Sequence, residues 1–172
     1  MNNAIFNFSE SQNEPVLSYI SGGGGKEINR RRADLTVRQK NDIPLIIGGK
    51  ESRTGKTGKI IMPSNHSHVL ATFHQTTEKE VTIAINSTLE AKNDWMTLAW
   101  VERAAIMAKS AEFISKKYRY QLNAATMLGQ GKNLFQVEIN STCEVTDYIR
   151  FNNYFASLIY MEQPKSEKTK TS

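Results

Sequence analysis

The sequence predicts an α+β chain dominated by helix: an N-terminal arm, a small antiparallel sheet, then a helical bundle ending in one long helix. The first sign is a set of short β-branched runs between residues 45 and 73, separated by Gly- and Pro-containing turns, as in strands joined by hairpins. The second is a switch after residue 76 to apolar residues three and four apart, the period of a helix. The third is residues 133–162, where apolar residues occupy more than one side, the pattern of a helix that is buried.

Residues 1–25 read as an irregular arm ending in four consecutive glycines, whose ordering costs more backbone entropy than that of other residues. Residues 26–40 follow as a short, strongly polar helix with Ile28 and Leu35 as its apolar points. It stops at Asp42-Ile43-Pro44, because the residue before a proline avoids the α region. Leu45-Ile46-Ile47 before Gly48-Gly49 reads as a strand running into a turn, with further strands at residues 59–62 and 68–73. Thr77 and Glu80 have the spacing of a capping box, in which each residue satisfies an orphan backbone donor at a helix start. Val81, Ala84, Ile85 and Leu89 continue that helix. A second begins near Trp100, with Ala104, Ala105, Ala108, Ala111 and Ile114 as its small-residue face, and a third covers residues 122–128 and stops at Gly129. The last, residues 133–162, carries Tyr148, Phe151, Phe155, Leu158 and Ile159 on one stripe, with Val137, Ile139 and Val145 on other faces, and ends at Gln163-Pro164.

At 172 residues, 39% hydrophobic and 23% charged, the composition is that of one soluble globular domain. No apolar run approaches the roughly 18 residues of a membrane span. Residues 1–12 hold no Lys or Arg and no long apolar block, so neither a secretory signal nor an Arg-rich presequence is expected, and the compartment expected on that basis is cytoplasmic. The net charge of +5 is concentrated: residues 26–40 carry +4, residues 165–172 carry +2, and the rest sums to −1. One basic helix is therefore the sole candidate nucleic-acid footprint; no aromatic residue interleaves with Arg30, Arg31 and Arg32 to stack on bases, and no nucleic-acid partner is expected.

Candidate chemistry is sparse. The single cysteine, Cys143, excludes an internal disulfide; it lies in the long helix beside Glu144, a carboxylate expected to raise its pKa, and reads as a buried structural thiol. His66 and His68 share a strand face near His74, but no acidic or Cys ligand stands by them and no metal is expected. Gly55-Lys56-Thr57 lacks the earlier glycine and the following helix of a phosphate loop.

The order of elements, with Ile43-Pro44-Leu45-Ile46-Ile47-Gly48-Gly49-Lys50, Met62-Pro63, Ala91 to Trp95 and Glu102-Arg103-Ala104, resembles the start of the aldehyde dehydrogenase superfamily. The block Leu122-Asn123-Ala124-Ala125-Thr126-Met127-Leu128-Gly129-Gln130-Gly131-Lys132, with Glu138-Ile139, Tyr148-Ile149-Arg150-Phe151-Asn152 and Asn13-Glu14-Pro15-Val16-Leu17, is similar to its 1-pyrroline-5-carboxylate dehydrogenase branch. The resemblance spans residues 13–164 and sets three expected regions: an arm and basic helix (1–42), the family's N-terminal segment (43–164) and a polar tail (165–172).

The resemblance implies an oxidoreductase of proline degradation that converts L-glutamate γ-semialdehyde to L-glutamate with NAD, by attack of a Cys thiolate on the aldehyde. It also implies that the catalytic Cys and Glu and the dinucleotide-binding units lie beyond residue 172. The fold is then an incomplete aldehyde dehydrogenase fold lacking the catalytic domain and most or all of the Rossmann-like domain. No catalytic, cofactor-binding or metal residue is assigned, and no cofactor is expected in this chain, NAD belonging to the intact family. The family role carried over is for Glu144, as a residue lining the aldehyde tunnel; the alternative is a buried Glu paired with a neighbouring base. Three readings stay open: a fragmentary dehydrogenase inactive alone, a partner that docks onto full-length subunits or a second copy, and a basic helical binder of nucleic acid. The family resemblance also offers the mitochondrial matrix as the alternative compartment.

Overall fold

A computed structural model describes residues 9–19, 24–39 and 41–162. Expectations for residues 1–8, for Gly22 and Gly23 and for the tail 165–172 fall outside them. The basic helix is α1 (Gly24–Arg38). Its inward face is Asn29 and Ala33, one turn apart and packed on the fourth helix, whereas Ile28 and Leu35, the apolar points expected from the pattern, face outward.

Five strands follow, and they do not form the single antiparallel sheet expected. β1 (Asn41–Ile43) lies parallel to β5 (Asn65–His74), and β4 (Thr57–Met62) lies antiparallel on the other side of β5. β2 (Leu45–Ile47) and β3 (Lys50–Ser52) form a separate hairpin. Pro44 divides β1 from β2: without an N–H it cannot continue a ladder, and the chain changes sheet there. Gly48 and Gly49, at φ +56° and +75°, make the two-residue turn, a geometry whose twist suits a hairpin. Asp42 joins the two sheets. It accepts from Arg53 Nε (3.1 Å) and Thr72 Oγ1 (3.1 Å), while Arg53 also bonds Glu51 of β3 (2.8 Å).

The helices match the expected order. α2 (Glu78–Thr97) starts at the Thr77–Glu80 capping box, where the Glu80 carboxylate accepts from the Thr77 N–H at 3.0 Å. α3 (Trp100–Glu112) buries Ala104 and Ala111 but leaves Ala105 and Ala108 outside, and runs into wide π-type turns at Phe113–Lys117. α4 (Arg119–Gln130) extends beyond the expected stop at Gly129; the left-handed residue that ends it is Gly131 (φ +67°). α5 (Leu134–Val137), a second set of π-type turns (Glu138–Cys143) and α6 (Glu144–Met161) compose the expected long helix, started by the reciprocal Asn133–Gln136 cap with both bonds at 3.0 Å.

The interior is made of small and polar side chains. Ala104, Ala111, Ala124, Val137 and Cys143 are buried together with Ser115, Asn123, Thr142, Thr146 and Ser157, and the largest fully buried side chain among the described residues is Glu138. The large apolar residues are outside: Tyr148 is 65% and Ile159 68% exposed on α6, and Ile46 and Leu89, 66% and 60% exposed, edge a groove of about 520 Å³ between β2 and α2. Contiguous apolar surface of this kind drives association and dye binding. The purified chain is expected to enhance ANS fluorescence and to sediment as species larger than a monomer; a compact monomer that leaves the dye dark would refute this account of its surface.

Candidate functional site

The described residues gather their titratable groups at one place, where the arm crosses the start of α4 and the π-type turns of the long helix. Arg119, the first residue of α4, is 4% exposed. Its guanidinium donates to Glu138 from Nε (3.0 Å) and again from Nη2, to Glu14 Oε1 (2.7 Å), and to the carbonyls of Pro15 (2.8 Å) and Ser115 (3.1 Å). Glu138 accepts further from the Leu17 N–H (3.0 Å), from Asn123 Nδ2 (2.7 Å) and from the Tyr19 hydroxyl. Thr142 closes the inner side by donating to Asn123 Oδ1 (2.7 Å). The second Glu14 oxygen takes Arg150 Nη1 (2.7 Å), and Asp147 takes the Glu14 N–H (2.6 Å) and Asn13 Nδ2 (2.8 Å).

Burial alone would raise the Glu138 carboxyl, but the bonds from Arg119, Tyr19, Leu17 and Asn123 outweigh it and hold its pKa below the usual 4.5. Burial opposes the charge on Arg119 as well, and the bonds to Glu138 and Glu14 overcome it, raising the guanidinium further. The Tyr19 phenol is raised, first by burial and then by its bond to Glu138. A carboxylate occupied by five N–H and O–H donors has no lone pair left with which to take a substrate proton. The cluster ties three segments of chain together; it is not built as an acid–base pair.

Cys143 lies against this cluster, 4% exposed, with Arg119 Nη2 at 3.7 Å and Glu138 Oε1 at 3.9 Å, and its thiol donates to the Pro15 carbonyl at 3.8 Å. Burial, then the charge of Glu138, pushes its pKa up to about 11. The raised thiol was expected, but the charge acting is Glu138 and not the adjacent Glu144. Glu144 is exposed in the first turn of α6 and accepts from Asn140 Nδ2 (3.1 Å). It is thus not the buried, base-paired glutamate of the alternative reading; Glu138 fills that description. Sequence reasoning passed over Glu138 and Arg119, although a carboxylate between Val137 and Ile139 in an apolar helix was a signal of burial with a partner.

The other sequence candidates do not converge. His74 is buried, its Nδ1 accepting from the Thr54 and Gly55 N–H groups (3.1 and 3.3 Å) and its Nε2 3.4 Å from Asp42. Among the described residues no three His, Cys, Asp or Glu side chains are grouped to hold a metal ion. Gly55-Lys56-Thr57 leads into strand β4, so no helix N-terminus points at a phosphate there. The parallel pair β1 and β5 is joined through β2, β3 and β4, not through a crossover helix, so it offers no strand–helix–strand cradle for the NAD of the resemblance.

The chain belongs to the aldehyde dehydrogenase family, whose model matches residues 50–172. Its relatives within that family are pyrroline-5-carboxylate dehydrogenases. It is 39% identical over 152 residues to the mitochondrial delta-1-pyrroline-5-carboxylate dehydrogenase of Dictyostelium discoideum, covering 88% of this chain and 27% of that protein. It is 40% identical over 162 residues to the delta-1-pyrroline-5-carboxylate dehydrogenase of Agaricus bisporus, covering 94% and 30%. The crystal structure of the Mycobacterium tuberculosis enzyme bound with NAD superposes with a TM-score of 0.90 at 32% identity, over 96% of this chain and 31% of that one. The fold is that of an N-terminal portion of the aldehyde dehydrogenase fold, and the chain spans less than a third of the length of these relatives.

Two variants separate the two glutamates. Arg119→Met strands the Glu138 charge and is expected to cost about 3–5 kcal/mol in urea unfolding, whereas Glu144→Gln, on the surface, stays within about 0.5 kcal/mol. The pH dependence has a fixed sign. Because the folded pKa of Glu138 is depressed, its contribution is complete above the unfolded value near 4.5 and disappears as pH falls through the folded value. The urea midpoint should therefore drop on acidification below about 4.5, and Glu138→Gln should flatten that drop.

Proposed function

We propose that this chain is the N-terminal scaffold portion of an enzyme activity of the 1-pyrroline-5-carboxylate dehydrogenase type, and that alone it oxidises no aldehyde. The activity concerned is oxidation of L-glutamate γ-semialdehyde to L-glutamate with NAD, in proline degradation. The observation that carries this reading is the state of Cys143: 4% exposed and raised to about 11, it is protonated at neutral pH and shut away from a substrate. Support for the branch comes from the similarity to the Dictyostelium and Agaricus enzymes. On this reading Glu144, exposed at the start of α6, faces the aldehyde tunnel once the rest of an aldehyde dehydrogenase fold is present. The name of the Dictyostelium relative favours the mitochondrial matrix over the cytoplasmic expectation.

The exposed apolar faces of α2 and α6 favour a second reading, in which the chain docks non-catalytically onto full-length dehydrogenase subunits or onto another copy of itself. Two measurements decide between these. Incubated with NAD and glutamate γ-semialdehyde, the purified chain is expected to give no rise in NADH absorbance, and sustained turnover would sink the proposal. Co-elution with full-length subunits on gel filtration would establish the docking role; separate elution would remove it.

A further inference from the structure

We propose that residues 9–19 form a releasable strap, keyed by Glu14, which opens while the helices stay folded and so controls access to the only thiol of the chain. The segment has no helix or strand of its own. Polar bonds tie it to the body: Ser11 Oγ to the Arg150 carbonyl (3.0 Å), Asn13 and the Glu14 N–H to Asp147 (2.8 and 2.6 Å), the Glu14 carboxylate to Arg119 and Arg150 (2.7 Å each), the Pro15 carbonyl to Arg119 (2.8 Å), and Leu17 and Tyr19 to Glu138. Val16 and Leu17, its large aliphatic residues, remain exposed, so apolar burial contributes little to holding it. Bonds of this kind are exchanged for bonds to water at small net cost, and segments so held open at lower free energy than the global transition.

The partners lie on α4 and on the long helix between residues 138 and 150, and the helix ladders there close without the strap. Glu14 is the key because its two oxygens engage different helices, Oε1 the Arg119 of α4 and Oε2 the Arg150 of α6. Removing it leaves Arg119 still paired with Glu138, so the body keeps its own ion pair. Beneath the strap is Cys143, whose thiol meets the Pro15 carbonyl at 3.8 Å. Lifting Pro15 uncovers the sulfur with Arg119 beside it.

The chain's single cysteine makes the test clean: the rate at which a small maleimide labels Cys143 in the full chain, in a series of urea concentrations below global unfolding, reports the opening. In the wild type the labelling rate should depend on urea much less steeply than global unfolding does, since a strap of eleven residues exposes little surface. Without urea, Glu14→Ala should label at least about tenfold faster, the factor expected for losing a pair of charge-assisted bonds, with an unchanged far-UV spectrum. Glu14→Gln, which keeps an acceptor, should fall between. Glu27→Ala, which removes an exposed partner of Arg31 on α1, should match the wild type. Labelling that follows the urea dependence of global unfolding in the wild type, or a Glu14→Ala chain that labels no faster, would overturn the proposal.

Discussion

The pairing of Arg119 with Glu138 is the constraint around which the helical half is arranged. Neither group can be buried unless the other is present, and neither is content with the other alone, since a guanidinium has five donors and a carboxylate about four acceptor sites. The remaining valences recruit Tyr19 and Leu17 from the arm, Asn123 from α4, and Glu14, which in turn recruits Arg150. The fold thus brings the arm, α4 and the long helix into one arrangement by hydrogen-bond stoichiometry and not by apolar volume. The small residues around the pair suit this, because Ala124, Thr142 and Ser115 let backbones approach closely enough for the bonds to form.

Much of the architecture was legible in the sequence, and the misses have physical causes. Thr77 and Glu80 announced α2 because a capping box is local chemistry, read within four residues. β1 was hidden: three residues beside a proline carry no alternation, and its pairing is to β5, thirty positions away, which no local pattern encodes. The buried face of α1 was misassigned because Asn29 goes inward where Ile28 stays out, a choice made by packing on α4. Cys143 was read correctly as a buried thiol with a raised pKa, but for the wrong neighbour. Adjacent helical residues point in directions about 100° apart, so the charge that matters is Glu138, five positions back across a wide turn.

The distribution of apolar surface connects the fold to its family. A chain whose largest enclosed side chain is a carboxylate, and whose Tyr148, Ile159, Ile46 and Leu89 lie in water, has placed its hydrophobic free energy at its boundaries. A match across 96% of this chain to about a third of a solved pyrroline-5-carboxylate dehydrogenase is consistent with such a division of labour. Polar bonds set the internal geometry of the segment, and the exposed faces are left for association.

The π-type turns have a consequence for how this helix tolerates change in length. In the stretch Glu138–Cys143 the Glu144 N–H reaches back five residues to Ile139, so the helix there holds one residue more per turn than an α-helix. Deleting one residue in the stretch would let the ladder close as plain α-helix, but everything after it would turn by about 100° about the axis. Asp147 and Arg150 would leave the arm, and the aromatic stripe would swing to another side. The extra residue therefore acts as a phase setting: the helix can lose or gain a residue beyond Met161 without effect on the site, but not between Glu138 and Arg150.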